Sequence, residues 1–375
     1  MRIALIEPYY GGSHKAWADG YAAASEHEVA LITHPARFWK WRMHGAFLTL
    51  ADELADDIVM HGSPDVILAS SMMNVAAFAG AIRHVAPGIP IAVYFHESQF
   101  TYPLSPADQP DLTYQMKNWS SAATADLVIF NSEFHRSIFR DEARRFLNAF
   151  PEYKHIHKID GVIDRSIVLP VGIDANEFGG SSCRDGGVPL LVWNQRWEHD
   201  KGPDELKSIV SGLVASGSVF RMAMCGEVFV SVPAVYAEIT DMLGERLVQS
   251  GWAKRDRYVE LLNGASVVLS TAHQEFFGIG VTEAVAAGAH PVFPDRLVYP
   301  ERIADFGANP EISLYGSPEE AVELIIDTLD RQPDPAVSKA ARKFGWDEIA
   351  SLYDDKLIAL AGRGSESSTR KLNGQ

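Results

Sequence analysis

Short β-branched and apolar runs alternate with helix-like stretches through the first half of this chain, and the same alternation restarts in the second half. The runs at 2–6, 29–33, 66–69, 91–94, 127–130 and 167–169 read as strands, as do those at 189–193, 220–225, 247–249, 267–270 and 290–293. Strands separated by helical segments predict parallel sheets covered by helices on both faces. Between the halves, 178–187 (FGGSSCRDGG) is Gly/Ser-rich and polar, the composition of an interdomain linker. A chain of 375 residues exceeds what one core usually organises. The expected fold is therefore α/β, with two doubly wound Rossmann-like domains facing a central cleft. The expected bounds are 1–180 for the first domain and 188–345 for the second. A helix at 346–361, led by Phe344-Gly-Trp346, should pack back toward the first domain. The polar stretch 362–375 reads as a disordered tail.

Composition narrows the function classes. An apolar fraction of 47% with 22% charged residues is that of a soluble globular protein. No apolar run approaches the ~20 residues of a membrane span, and the start MRIALIEPYYGG is broken too early for a signal peptide. Cys183 and Cys225 lack metal-like spacing and form no disulfide framework, so a cytoplasmic address is expected. The balance of 33 Lys+Arg against 49 Asp+Glu, net −16, argues against broad nonspecific affinity for nucleic acid. It leaves room for a local basic patch.

In doubly wound sheets ligands bind beyond the carboxyl ends of the strands, so the residues after each strand carry the chemistry. The most informative are Glu275 and Glu283, seven residues apart in EFFGIGVTE. An apolar run precedes them and an alanine-rich helix, capped near Gly288, follows. Glu275 then lies in the loop after a strand and Glu283 on the first turns of the helix. The N–H groups of Phe277, Gly278 and Ile279 would point outward at the helix N-terminus as an anion site. Carboxylates for sugar hydroxyls beside amides for a diphosphate make a nucleotide-sugar pocket. The plainer alternative is a solvated helix start with a capping Glu.

Other strand ends add to this. Gly11, Gly12 and Ser13 follow the first strand, where paired glycines let a backbone approach a ligand closely. The pattern is not G-x-G-x-x-G, and no acidic residue follows at the dinucleotide position, so NAD binding is not expected. His96-Glu97 follows the run 91–94 and can orient a sugar or assist proton transfer; the spacing is not that of a zinc protease. Asn131-Ser132 reads equally as a helix cap or a ligand contact. After the run 189–193, Arg196 offers a fork and Lys201 a point charge, which together can neutralise a diphosphate leaving group without a metal. Gly226 reads as a close approach to base or ribose, or as a plain strand end. The Asp-Asp pairs at 56–57 and 354–355 fall in helix-like stretches expected to be solvated, so no metal site is expected. Arg37, Trp39, Lys40, Trp41 and Arg42 interleave cations with aromatics and can pair with phosphates and stack on bases. The alternative is an amphipathic helix that buries its tryptophans.

The E-x7-E pattern, with an Arg and a Lys after the first strand of the second half, resembles the retaining GT-B glycosyltransferases related to glycogen synthase and the mannosyltransferases. More narrowly, EPYYGGSHKAW, HPARFWKWR, YFHESQFTYP, VIFNSEFHRSIF, WNQRWEHDKGP and TAHQEFFGIGVTEAVAAGAHPVFPDRLVYPE are similar to the tRNA-queuosine α-mannosyltransferase family and its bacterial relatives. The match runs in order from Arg2 to about Glu301. The resemblance implies GDP-mannose as co-substrate, a queuosine-bearing tRNA as acceptor and no bound cofactor or metal. It implies Glu275 on the donor sugar, Glu283 on the ribose, Arg196 and Lys201 on the diphosphate, His96 facing the donor sugar and Gly11-Gly12 approaching the donor.

The reading is a hexosyltransferase that retains configuration by same-face displacement, the departing diphosphate helping to deprotonate the attacking hydroxyl. Domain closure would expel water. Its alternatives are a glycosyltransferase with a small-molecule or glycan acceptor, an epimerase or hydrolase on the same fold, and a noncatalytic nucleotide-sugar or RNA-binding protein.

Overall fold

The computed structural model describes residues 1–101, 111–179, 187–228 and 233–372, with side chains as far as 363. The chain divides into two compact units, Met1–Gly172 with Trp346–Gln375, and Ile173–Gly345. In order, the first contains β1 (Arg2–Tyr10), α1 (Gly12–Ala24), β2 (Glu28–Pro35), α2 (Trp39–His61), β3 (Val66–Ser70), α3 (Val75–Ile82), β4 (Ile91–Phe95), α4 (Leu112–Thr124), β5 (Leu127–Phe130), α5 (Glu133–Asn148), α6 (His157–Asp164) and β6 (Ser166–Val168). The second contains β7 (Leu190–Trp193), α7 (Pro203–Ala215), β8 (Arg221–Cys225), α8 (Val235–Leu243), β9 (Leu247–Gly251), α9 (Arg255–Asn263), β10 (Val267–Leu269), α10 (Ile279–Ala286), β11 (His290–Pro294), α11 (Tyr299–Phe306), β12 (Leu314–Tyr315), α12 (Pro318–Thr328) and α13 (Pro335–Arg342). Helix α14 (Trp346–Leu372) belongs to the first unit.

Each unit has one six-stranded parallel sheet, ordered β2-β1-β3-β4-β5-β6 in the first and β12-β11-β10-β7-β8-β9 in the second. The order reverses between β1 and β3 and between β10 and β7, and ligand crevices of doubly wound sheets open at such reversals. The central strands are covered on both faces: Ile3 to Ile6, Val66 to Ala69 and Leu191 to Trp193 are all fully buried. Eleven strands lie where the apolar runs predict them, with ends displaced by a few residues. β12 has two residues, too few for a periodic signal.

Three expectations are revised. The second unit begins at Ile173, before the Gly/Ser stretch, because Ile173 N–H bonds to the Phe344 carbonyl and Phe178 is buried in that unit's core; most of the stretch, 180–186 with Cys183, lies outside the described residues. The acidic pairs are only half solvated: Asp56 and Asp355 are exposed, while their neighbours are engaged. Asp57 binds Arg2 at 2.7 Å, and buried Asp354 accepts from the Tyr21 hydroxyl at 2.7 Å, the Ser25 hydroxyl and the Glu26 N–H. Asp57, partly buried, and Asp354, buried, therefore serve packing, as carboxylates withdrawn from water need partners. Helix α14 also runs as far as Leu372, through most of the stretch read as a tail.

What anchors α14 is Trp346. A Cβ at Gly20 would stand 2.0 Å from its indole, and one at Gly172 would stand 2.2 Å from it. Only glycine leaves the ring room, and overpacking typically costs about 1–3 kcal/mol. Tyr353 continues the contact, donating to the Pro170 carbonyl at 3.0 Å and accepting from Trp17 Nε1 at 3.2 Å.

Candidate active site

In the second unit, the loops after β7, β9 and β10 converge. After β7 the backbone turns through a short 3₁₀ segment, His199–Lys201, and Gly202 takes a left-handed φ of 64°. A Cβ there would meet the Thr271 carbonyl at 2.1 Å, so glycine lets this loop lie against the one after β10. Lys201 is carried inward: its side chain is 9% exposed, and Nζ donates to the Gln274 carbonyl at 2.8 Å. It lies 3.2 Å from Asp200 Oδ2 and 3.6 Å from Glu275 Oε2. A buried ammonium held between two carboxylates is compensated, which buried charge requires. Arg196 stands at the more open side of the same loop, paired with Glu198 at 3.2 Å.

Glu275 behaves differently from the expectation. Its Oε1 accepts from the N–H groups of Phe276 at 3.1 Å, Phe277 at 3.4 Å and Gly278 at 3.1 Å. Two of the three amides expected to face outward are thus taken by the protein's own carboxylate. The cause is local: the turn into α10 presents orphan donors, and the nearest anion is the side chain at its start. Gly278, at φ 84°, makes that turn.

Glu283 is buried on α10, and both its oxygens are engaged: Oε1 by Arg255 Nη1 at 3.1 Å and Oε2 by the Tyr258 hydroxyl at 2.7 Å. Burial raises its pKa above the ordinary carboxylate value, opposed by Arg255 and Tyr258. Asn194 ties the group to β7, donating to the Tyr258 hydroxyl at 2.9 Å and to the Gly280 carbonyl at 2.7 Å. Gly226 is a packing glycine, since a Cβ there would fall 1.8 Å from the Gln195 carbonyl. Asn194, Arg255 and Tyr258 escaped the sequence reading. Their signal was available, because WAKRDRY follows β9 as NQR follows β7.

In the first unit the strand ends gather Glu7, His14 and His96. Glu7 is fully buried at the end of β1; its Oε1 accepts from the Tyr9 N–H at 2.7 Å, and its Oε2 lies 3.0 Å from His14 Nδ1. His96 Nε2 stands 3.9 Å from the same Oε2. Their ligand-type atoms lie within 4.8 Å of one another, the grouping among the described residues close enough to share a cation. The 3.0 Å contact is itself of hydrogen-bond length. Burial, and then the charges of His14 and His135, lower the pKa of His96 and keep it neutral. Its ring sits against Trp17 and Tyr94, and the Asn131 amide holds its backbone carbonyl at 2.9 Å. Asn131 therefore serves as a brace, while Ser132 caps α5 through the His135 N–H. Gly11 packs closely, since a Cβ would lie 2.4 Å from Ala36 Cβ; Gly12, at φ 51°, faces open space, and Ser13 is exposed.

The basic aromatic segment opens α2. Phe38 precedes it in a left-handed conformation and is 79% exposed, and Trp41 is 63% exposed. Arg37 and Lys40 are exposed as well. Trp39 packs on Tyr114 at 5.1 Å between centroids, and Arg42 is held by His34 and the Pro35 carbonyl. The helix thus does not bury both of its tryptophans. Among the described residues no helix is long and apolar enough to cross a membrane.

Residues 2–173 match the family model described as tRNA-queuosine alpha-mannosyltransferase N-terminal, and 181–344 match glycosyl transferases group 1. The chain is 33% identical over 309 residues to the tRNA-queuosine alpha-mannosyltransferase of Drosophila melanogaster, covering 80% of this chain and 81% of that one. Among solved structures it is similar to a sucrose-phosphate synthase from Thermosynechococcus elongatus, at TM-score 0.66 and 15% identity over 100% of both chains. It also resembles Anabaena HepE in complex with UDP and glucose, at TM-score 0.60 and 15% identity over 99% and 100%. These structural likenesses carry the fold, and the sequence match carries the family: the chain belongs to the tRNA-queuosine α-mannosyltransferase family, hexosyltransferases of the GT-B fold.

Proposed function

We propose that this chain transfers mannose from GDP-mannose to the queuosine of a tRNA, in the cytoplasm, with retention of configuration and without a bound metal. The observation that carries the reading is the identity to the Drosophila enzyme, which spans about four-fifths of each chain. The geometry supports it in the second unit. Lys201, buried between Asp200 and Glu275, and Arg196, more open, supply the positive charge that a departing diphosphate needs. Glu275 occupies the loop amides as an internal anion; its side chain is 24% exposed and can exchange that place for a donor phosphate or sugar hydroxyl. Glu283, fixed by Arg255 and Tyr258, keeps lone pairs for ribose hydroxyls.

The attacking hydroxyl displaces the diphosphate from the same face of the sugar. Its proton passes to a departing phosphate oxygen as the new glycosidic bond forms and the old one breaks. The net charge of −16 favours a second reading, in which the same chemistry serves a small-molecule or glycan acceptor. Purified protein, queuosine-bearing tRNA and either GDP-mannose or UDP-glucose separate these, with the modified nucleoside read by mass spectrometry. Mannosylated queuosine from GDP-mannose, undiminished by EDTA, is expected. Donor cleavage without a modified nucleoside would shift the acceptor to the second reading, and loss on chelation restored by manganese would overturn the metal-free mechanism.

A further inference from the structure

Glu7 is a fully buried carboxylate to which the leaving-group chemistry above assigns no work. Its Oε1 is satisfied by the Tyr9 N–H, and its Oε2 faces two imidazoles, at 3.0 Å (His14) and 3.9 Å (His96). A carboxylate accepting at 3.0 Å places a proton on His14 Nδ1 and so selects that ring's tautomer. The two rings are packed together, with centroids 4.1 Å apart. His96 is gripped from the other sides by Trp17, by Tyr94 and through its backbone by Asn131. Its side chain is 7% exposed, yet Nε2 has no hydrogen-bond partner. A buried polar atom left without a partner beside a fixed carboxylate is costly unless a bound molecule completes it.

We propose that Glu7 is a positioning residue: it fixes the tautomer of His14 and, through that ring and its own Oε2, aims the unpartnered Nε2 of His96 at the substrate. Its charge also lies where a proton gained by His96 would be compensated, so the three side chains act as one unit. The inference rests on the glycosyltransferase reading above only for its kinetic arm.

Glu7→Gln is nearly isosteric but turns an acceptor toward His14 into a donor. Imidazole ¹⁵N spectra of the parent should show His14 protonated on Nδ1, and those of Glu7→Gln should show the proton moved to Nε2. This arm needs no activity. Transfer to tRNA is then measured in the parent, Glu7→Gln, His96→Asn and the double variant. Glu7→Gln should lower kcat about 10- to 100-fold with donor KM changed less than threefold, because misaiming a group by an ångström costs about that much. In the His96→Asn background the same change should cost less than twofold, since a residue that acts through another is not additive with it. Glu7→Asp, which keeps the charge, replaces Glu7→Gln in the same cycle if the latter unfolds. An unchanged His14 tautomer, parental kcat, or an equal loss in both backgrounds would each overturn the proposal. An inactive parent with the expected tautomer change would count against the transferase reading and leave the positioning geometry supported.

Discussion

The Tyr258 hydroxyl donates to Glu283 Oε2 at 2.7 Å, a contact that joins α9 to α10 across the carboxyl ends of the second sheet. With Arg255 on the other oxygen, it gives a buried carboxylate a fixed direction. The Tyr258 hydroxyl is in turn held by Asn194, so the loop after β7 and helix α9, distant in sequence from α10, determine where its carboxylate points.

Arg255→Ala should therefore act on donor binding through Glu283. Without the guanidinium, burial raises the Glu283 pKa further, and a larger fraction is protonated near neutral pH. Donor KM is expected to rise about tenfold at pH 7 and to recover partly at higher pH as Glu283 ionises. A pH-independent KM in the variant would show that Glu283 does not carry the effect. Glu177, which also pairs with Arg255, offers a control: Glu177→Gln should change KM little.

Arg196 and Lys201 should separate by stability. Both, changed to Ala, are expected to lower kcat about a hundredfold, since charge on the diphosphate grows as the bond breaks. Arg196 is half exposed and paired at the surface, so its loss should leave the unfolding midpoint nearly unchanged. Removal of Lys201 leaves Asp200 and Glu275 facing each other without their cation and should cost about 3 kcal/mol. Urea unfolding and steady-state kinetics on both variants test this, and near-parental turnover in both would remove the leaving-group assignment.

The α2 segment predicts a salt signature. Arg37→Ala with Lys40→Ala should flatten the dependence of tRNA affinity on salt by about two phosphate contacts. Trp41→Ala, losing an exposed stacking surface, should weaken binding by about 1–3 kcal/mol with no loss of stability. Arg42, tied to His34 and Pro35, should contribute little to the slope. Donor hydrolysis is expected to be unaffected in all of these variants, and parental tRNA binding in the first two would show this surface to be outside the acceptor site.

Acid should destabilise the first unit through its buried histidines. Burial pushes His135 down to about 3 and lowers His96, so in the folded chain both stay neutral where the unfolded chain takes up protons. Stability is then complete above the ordinary value near 6.5 and falls as pH drops, continuing for His135 toward about 3. Each histidine can contribute up to about 1.4 kcal/mol per pH unit in that window. His135→Gln should reduce the slope of unfolding free energy between pH 6.5 and 5 by close to one proton, and an unchanged slope would contradict the assignment.

Much of this was legible in the chain itself. Buried parallel strands must be apolar and helices between them must be amphipathic, so the alternation from Arg2 to Pro294 announces two wound sheets. Ligands gather past strand ends, which is why Glu275, Glu283, Arg196, Lys201 and His96 could be singled out without coordinates. Tertiary structure alone decided what those residues touch. Glu7 and His96 meet because β1 and β4 lie in one sheet with β3 between them, and Lys201 meets Glu275 because β7 and β10 are neighbours across a reversal of strand order. Neither adjacency leaves a mark in local pattern, for pairing order is a property of the whole sheet. The same holds for the carboxylate of Glu275, whose choice of its own loop amides depends on a turn geometry set by one glycine at φ 84°.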